Sequence, residues 1–206
     1  MINGPSTRHP VFYAAKLMSF LARPGDEIVQ AESEHPWLAV HAARRTNGTL
    51  SVLVLNKDKE QALTGRLHLT GFLPAPAMTV RSYGIPQDEA ARTNASLSAQ
   101  DLTVETLSVP DTAFTYTFPP LSLTVFSFEP RPIDPPRLSL HRASSSGPWQ
   151  LIVTGTPGAT LILETSQDFS HWQSTATNRP SNGLWILELI PKPDSTARYW
   201  RARAEP

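Results

Sequence analysis

The residues able to do acid–base, nucleophilic or metal chemistry are present but poorly arranged for it. Among 206 residues there are 18 Asp and Glu, 6 His and no Cys. The lack of Cys removes thiolate metal sites, disulfide staples and a thiol nucleophile together. Cleaving an acetal calls for two convergent carboxylates. The candidate pairs are Asp26/Glu27, Glu32/Glu34, Asp88/Glu89 and Glu164/Asp168. Adjacent residues of a strand point to opposite faces, so Asp26/Glu27 cannot converge on one bond. Glu32/Glu34 flank Ser33 in a polar run that reads as a wet edge, and Asp88/Glu89 fall in a long loop. His9, His35, His41, His68, His141 and His171 show no i,i+4 pair and no His-x-His spacing, so no metal site is predicted. No G-x-S-x-G occurs, and Gly155-x-x-Gly158 encloses Pro157 where a phosphate loop needs a backbone donor. The expectation is no catalytic residue, no metal and no cofactor.

Aromatic side chains remain. Trp37, Trp149, Trp172, Trp185 and Trp200 are many for a chain of zero formal charge, and all but Trp37 lie in its last third. Sugar rings present flat C–H faces that stack on Trp and Tyr, with hydroxyls that need polar partners beside the ring. Trp149, Trp172, Trp185 and Tyr199 are the candidate carbohydrate-binding residues. Tyr199 alternates with Arg201 and Arg203, whereas Trp200 alternates with Ala202 and Ala204. That pattern places Trp200 in a core and Tyr199 outside. Charge balance, 18 basic against 18 acidic residues, excludes the cationic surplus of a nucleic-acid binder.

The elements that must position these residues are short strands. Charged residues make up only 17% of the chain, there are 20 Pro, and Pro, Ser and Thr together outnumber the charged residues. This is the composition of an all-β chain with many turns. Strands are predicted at 28–34, 38–44, 50–57, 63–70, 78–83, 102–109, 114–118 and 121–128. Asn47-Gly48 marks a type I′ hairpin, Gly71 to Pro76 closes another strand pair, and Pro119-Pro120 separates the last two strands. Gly84 to Gln100 is too long for a plain turn and accommodates a helical turn or two over Gln87–Arg92. Four prolines crowd the run Glu129 to Pro136, a semi-rigid spacer. A second strand set follows at 137–142, 149–154, 160–166, 172–176, 184–190 and 199–204, a sandwich of fibronectin-III size or slightly smaller. The predicted fold is two antiparallel β-sandwiches in tandem behind one short N-terminal α-helix. Its parts are residues 1–25, 26–129, the linker 130–136, and 137–206.

The helix is predicted from Pro10 to Ala22, with Ser6, Thr7 or His9 as its cap and Pro24-Gly25 as its stop. It is too short to span a bilayer, and its leading residues do not form a secretion signal. It is apolar nearly all round, so it needs burial on more than one side. The expectation is that it folds onto the first sandwich or drives self-association through Val11, Tyr13, Leu17 and Phe20.

Two stretches carry a resemblance. The run His9 to Phe20 (HPVFYAAKLMSF) resembles the last helix of the (β/α)8 barrel of retaining glycosidases. Leu53 to Lys57 (LVLNK), Leu67 to Phe72 (LHLTGF), Arg81 to Arg92 (RSYGIPQDEAAR) and Phe118 to Phe128 (FPPLSLTVFSF) are similar to the β-sandwich appended to such barrels. Residues 9–128 thus resemble the end of a glycoside hydrolase of the family 44 endoglucanase kind, with families 51 and 30 as near alternatives. Residues 155–172 (GTPGATLILETSQDFSHW) and the ending Arg198 to Arg203 (RYWRAR) are similar to a module of secreted bacterial proteins. In that module Asp168 begins a turn and Trp172 recurs, which implies packing roles for both.

The resemblance implies a non-catalytic accessory region whose glutamate pair sits on upstream barrel strands, with Met1 an internal or engineered start. Its implied partners are that barrel and a plant-type polysaccharide such as cellulose or hemicellulose. It also implies an extracellular or periplasmic location. The rival expectation is a structural spacer or cell-surface attachment module without sugar affinity.

Overall fold

The computed structural model describes residues 10–93, 100–109, 112–142, 144, 147–189 and 198–206. The expected cap residues Ser6, Thr7 and His9, and strand residue 190, lie outside them. The chain divides into two compact units, Met1–Arg131 and Pro132–Pro206.

The first unit begins with α1 (Pro10–Leu21), followed by β1 (Glu27–Val29), β2 (Leu38–Arg44), β3 (Leu50–Asn56), β4 (Leu63–His68) and β5 (Pro74–Tyr83). Then come α2 (Ile85–Thr93), β6 (Thr103–Ser108), β7 (Ala113–Phe118) and β8 (Ser122–Pro130). Six strands form one antiparallel sheet in the order β1-β2-β3-β8-β5-β6, and β4 pairs with β7 in a separate ribbon. Alternation along β8 sends Phe126 and Phe128 to one face and Val125 to the other. On the first face they meet Phe118 and Tyr116 of the ribbon in a core with Val52, Val54, Met78 and Val80. On the second face Val125 joins Leu53, Ala43 and Tyr83 beneath Tyr13, Leu17 and Leu21 of α1.

Two turns differ from the sequence expectation. In the hairpin between β2 and β3 only Gly48 has positive φ, at 87°, and its N–H donates to Arg45 O at 2.8 Å. This is a three-residue loop with a left-handed third position rather than a type I′ turn. Asp26 Oδ1 accepts from Thr46 N at 2.9 Å and Asn47 Oδ1 from Thr49 N at 3.1 Å, which fixes the longer loop. Gly71 to Pro76 is also no hairpin, because β4 pairs with β7 while β5 pairs with β6 and β8. The chain passes from the ribbon to the sheet there, and does so a second time across Pro119-Pro120. Asn56 knits that second crossing, its amide donating to the carbonyls of Gln61, Phe118 and Pro119 at 2.9–3.0 Å.

The second unit has β9 (Arg137–Arg142), β10 (Trp149–Thr154), β11 (Thr160–Ser166), β12 (Gln173–Asn178), β13 (Leu184–Leu189) and β14 (Tyr199–Glu205). They make two three-stranded antiparallel sheets, β13-β10-β9 and β12-β11-β14. The core between them holds Leu151, Val153, Leu161 and Leu163, with Trp185, Leu187, Trp200 and Ala202 packed against it. The fold is therefore all-β with the short helix at its start, plus the helical segment α2 inside the long loop.

Candidate aromatic binding site

The outer face of β12-β11-β14 is set by the strand period. With Leu161 and Leu163 turned inward, Glu164 and Ser166 turn outward, where they pair with Arg201 and Tyr199 of β14. Glu164 is nonetheless almost fully buried, because two arginines close over it. Arg201 Nε donates to Oε2 at 2.6 Å and Arg203 Nε to Oε1 at 3.1 Å. Hydrogen bonding to Arg201 holds its carboxyl below the usual carboxylate range, against the opposing effect of desolvation.

Ser166 leads into the turn Gln167 to Trp172, and Asp168 organises it. Its Oδ1 accepts from Ser170 N at 2.9 Å, His171 N at 2.8 Å and Ser166 Oγ at 3.0 Å. Its Oδ2 lies 2.7 Å from His171 Nδ1. These bonds, that from the imidazole foremost, drive the Asp168 carboxyl far below its ordinary value, and the same contact raises His171. Both members of the pair Glu164/Asp168 are thus occupied in holding structure.

The product of this turn is Phe169. Its φ is 61°, a left-handed conformation that costs a residue with a Cβ roughly 1–2 kcal/mol. The residue remains 62% exposed. Tyr199 lies behind it, with ring centroids 3.7 Å apart and planes 31° from parallel. Trp172 meets it edge-on at 6.4 Å, and Trp172 Nε1 donates to Phe169 O at 3.0 Å. The Arg201 guanidinium covers the Trp172 ring at 4.3 Å from its centroid. A chain of contacts therefore runs from buried Glu164 through Arg201 and Trp172 to Phe169 and Tyr199.

The structure brings together two of the four aromatics singled out from sequence, Trp172 and Tyr199. Trp149 is 40% exposed on the other sheet, beside Arg142, whose guanidinium sits 5.5 Å from its ring centroid. Trp185 is half-buried and packs against the core across from Val153. Trp200 packs inward and Tyr199 outward, as the alternation predicts. Sequence reasoning missed Phe169 and the role of Arg201. The signal for Phe169 was a lone aromatic within Gln167-Asp168-Phe169-Ser170-His171, a run of turn-forming and polar residues.

Some of the remaining acids and histidines have local partners. Asp26 Oδ2 accepts from Arg23 N at 2.7 Å and faces Arg45 at 3.6 Å, so its carboxyl is lowered by backbone hydrogen bonds from Thr46 and Arg23. Glu32 Oε1 accepts from Gln30. Asp88 lies in the first turn of α2. His35 Nδ1 accepts from Trp37 N. Among the described residues no group of three His, Asp or Glu is placed to hold a metal ion, and no helix is long and apolar enough to cross a membrane.

The most specific part of the sequence resemblance has a structural role. Tyr83 stacks on Tyr13 at 4.9 Å with planes 10° apart. Gln87 ties the loop, its Oε1 accepting from Gly84 N at 2.9 Å and its Nε2 donating to Thr103 Oγ1 at 2.7 Å.

No family model matches the sequence, and no curated protein matches it. Among solved structures the chain is similar to a bifunctional glucanase-xylanase from a metagenome library, at 21% identity and TM-score 0.40, over 50% of this chain and 18% of that one. It is similar to a Paenibacillus polymyxa xyloglucanase from glycoside hydrolase family 44, at 21% identity and TM-score 0.39, over 49% and 18%. An α-L-arabinofuranosidase from Thermotoga maritima is matched at 28% identity and TM-score 0.36, over 47% and 20%. The chain spans about a fifth of the length of each.

Proposed function

We propose that this chain is a non-catalytic accessory region of a secreted, β-glycan-active glycoside hydrolase. In this reading residues 132–206 bind a polysaccharide such as cellulose or hemicellulose outside the cell or in the periplasm, and residues 1–131 abut an upstream catalytic barrel. The observation that carries the sugar-binding half is the convergence of Trp172 and Tyr199 on one exposed turn with Phe169 and Arg201. Apolar rings rimmed by hydrogen-bonding groups are the composition that a sugar face and its hydroxyls require. The second half is supported by α1. Tyr13, Leu17 and Leu21 are spent on the sheet, while Val11, Phe12 and Met18 stay 75%, 42% and 48% exposed. Such an apolar stripe is the kind of face that a neighbouring domain covers.

Retention of the pure protein on insoluble cellulose, xylan or mannan, with a change in Trp fluorescence on adding soluble oligosaccharides, tests the binding. No retention and no fluorescence change would leave the spacer reading. That second reading draws on one observation: Arg201 covers the Trp172 ring and Phe169 covers Tyr199, as packing residues would. Glycan hydrolysis that a carboxylate substitution abolishes would overturn the non-catalytic assignment.

A further inference from the structure

Phe169 occupies a strained backbone conformation, and burial does not compensate it, because the residue stays 62% exposed. Strained residues persist where their surroundings over-determine them, and they collect at binding sites. Here Asp168 fixes the turn through Ser170 N and His171 N, and Trp172 Nε1 holds the Phe169 carbonyl. Tyr199 backs the ring on its inner side at 3.7 Å. The outer side is then an exposed apolar plane backed by Tyr199. Ser170, His171 and Arg201, all polar and exposed, stand around that turn.

We propose that Phe169 is the contact ring of a subsite for one sugar residue, with Tyr199 and Trp172 serving as positioning residues behind it. This rests on the carbohydrate-binding reading and deepens it by naming the ring and the ligand class. Trp172 gives a face to Arg201, and Tyr199 gives one to Phe169. The two stacked rings, Phe169 and Tyr199, lie one behind the other rather than side by side. Among the described residues the site offers one platform and no coplanar row. A crystalline glycan surface adheres to a flat row of rings, whereas one platform takes a single residue of a soluble or disordered chain. The ligand class is therefore the free oligosaccharide or amorphous chain.

The test uses the full chain with Phe169→Ala, Phe169→Tyr and Trp37→Ala. Cellohexaose, xylohexaose and mannohexaose serve as soluble probes, read by calorimetry and NMR shift mapping, and microcrystalline cellulose as the surface probe. Circular dichroism checks that each variant folds, and Phe169→Tyr supplies a variant that keeps a ring. The expected result is binding of at least one hexasaccharide, weakened roughly tenfold by Phe169→Ala, the scale of one aromatic stack. Phe169→Tyr should bind like the parent, and Trp37→Ala, an exposed Trp of the first unit, should change nothing. Unchanged hexasaccharide binding in a folded Phe169→Ala protein would overturn this inference while leaving the binding reading intact. Retention on microcrystalline cellulose without hexasaccharide binding would overturn the ligand class. No glycan bound by the parent chain would overturn both.

Discussion

Leu17→Ala tests whether α1 is part of the first unit or an attached segment. Leu17 is fully buried, between Tyr13 and Leu21 on one stripe of the helix, and faces Leu53, Val125 and Ala43 of the sheet. Truncating a Leu in such a place costs about 2–5 kcal/mol, the transfer loss plus a cavity that rigid strands cannot close. Each kcal/mol lowers the midpoint by about 4–8 °C in a 60–100-residue domain and about 2–4 °C at 150–250 residues. The first unit falls between these sizes, so a shift of roughly 6–20 °C is expected. Met18→Ser, one position along but 48% exposed, should stay within about 0.5 kcal/mol. Thermal melts by circular dichroism, paired with hydrogen exchange across Pro10–Leu21, give both readings. If Leu17→Ala melts with the parent, or if the helix amides exchange as fast as an isolated peptide's, α1 is not docked as described. The same experiment limits self-association: Tyr13 and Leu17 are consumed by the sheet, leaving Val11, Phe12 and Met18 as the exposed apolar residues.

Other perturbations follow from single contacts. Gly183→Ala should destabilise the second unit strongly, since φ is 72° and a Cβ would lie 2.2 Å from Gly155 O; an urea melt followed by Trp fluorescence reads this, and an unchanged midpoint would contradict the turn. Asp168→Asn should return the His171 pKa toward 6.5, measured by NMR titration of the ring; a value already at 6.5 in the parent would refute the contact. The turn itself has a pH window. Asp168 is lowered, so its contribution is present above about 4 and lost as pH falls toward its folded value; His171 is raised, so its contribution is present below about 6.5 and lost as pH rises through its folded value. Protection of the Ser170 and His171 amides should be greatest between those limits, and a flat profile would count against the pairing. Glu164→Gln should lower stability above the ordinary carboxylate pKa and less in acid, because the parent's ion pairs are themselves lost as pH falls through the lowered Glu164 value.

Strand identity was legible in the sequence because it depends on local period. Phe114, Tyr116 and Phe118 alternate with exposed Thr115 and Thr117, and the structure buries that set against Phe126. Pairing was less legible. Gly71 and Pro76 look like a hairpin, yet β4 and β5 join different sheets, and only the long-range register of β4 with β7 decides this. The Asn47-Gly48 turn failed for a similar reason: Asp26, distant in sequence, binds Thr46 N and stabilises the longer loop. The helix was readable as apolar all round, and its division into a docked and an exposed stripe needed the sheet. Trp172 and Tyr199 stood out as aromatic, but residue type alone could not separate them from Trp185, which packs half-buried against the core.

Phe169 shows why the site itself was the hardest part to read. Composition counts aromatics, and periodicity assigns them to faces, but neither reports φ. A Phe after Asp is unremarkable until Asp168 is seen accepting from two backbone amides and a hydroxyl. Once it is, the roles of the charged neighbours invert. Glu164 and Asp168, which as a pair invited a hydrolytic reading, have their oxygens committed to Arg201, Arg203, Ser170 and His171. Glu164 steadies Arg201, Arg201 lies on Trp172, and Trp172 grips the carbonyl of Phe169. The chemistry in this unit is that of position: acidic groups lowered in pKa by their bonds, used to hold one aromatic ring outward against its own backbone preference.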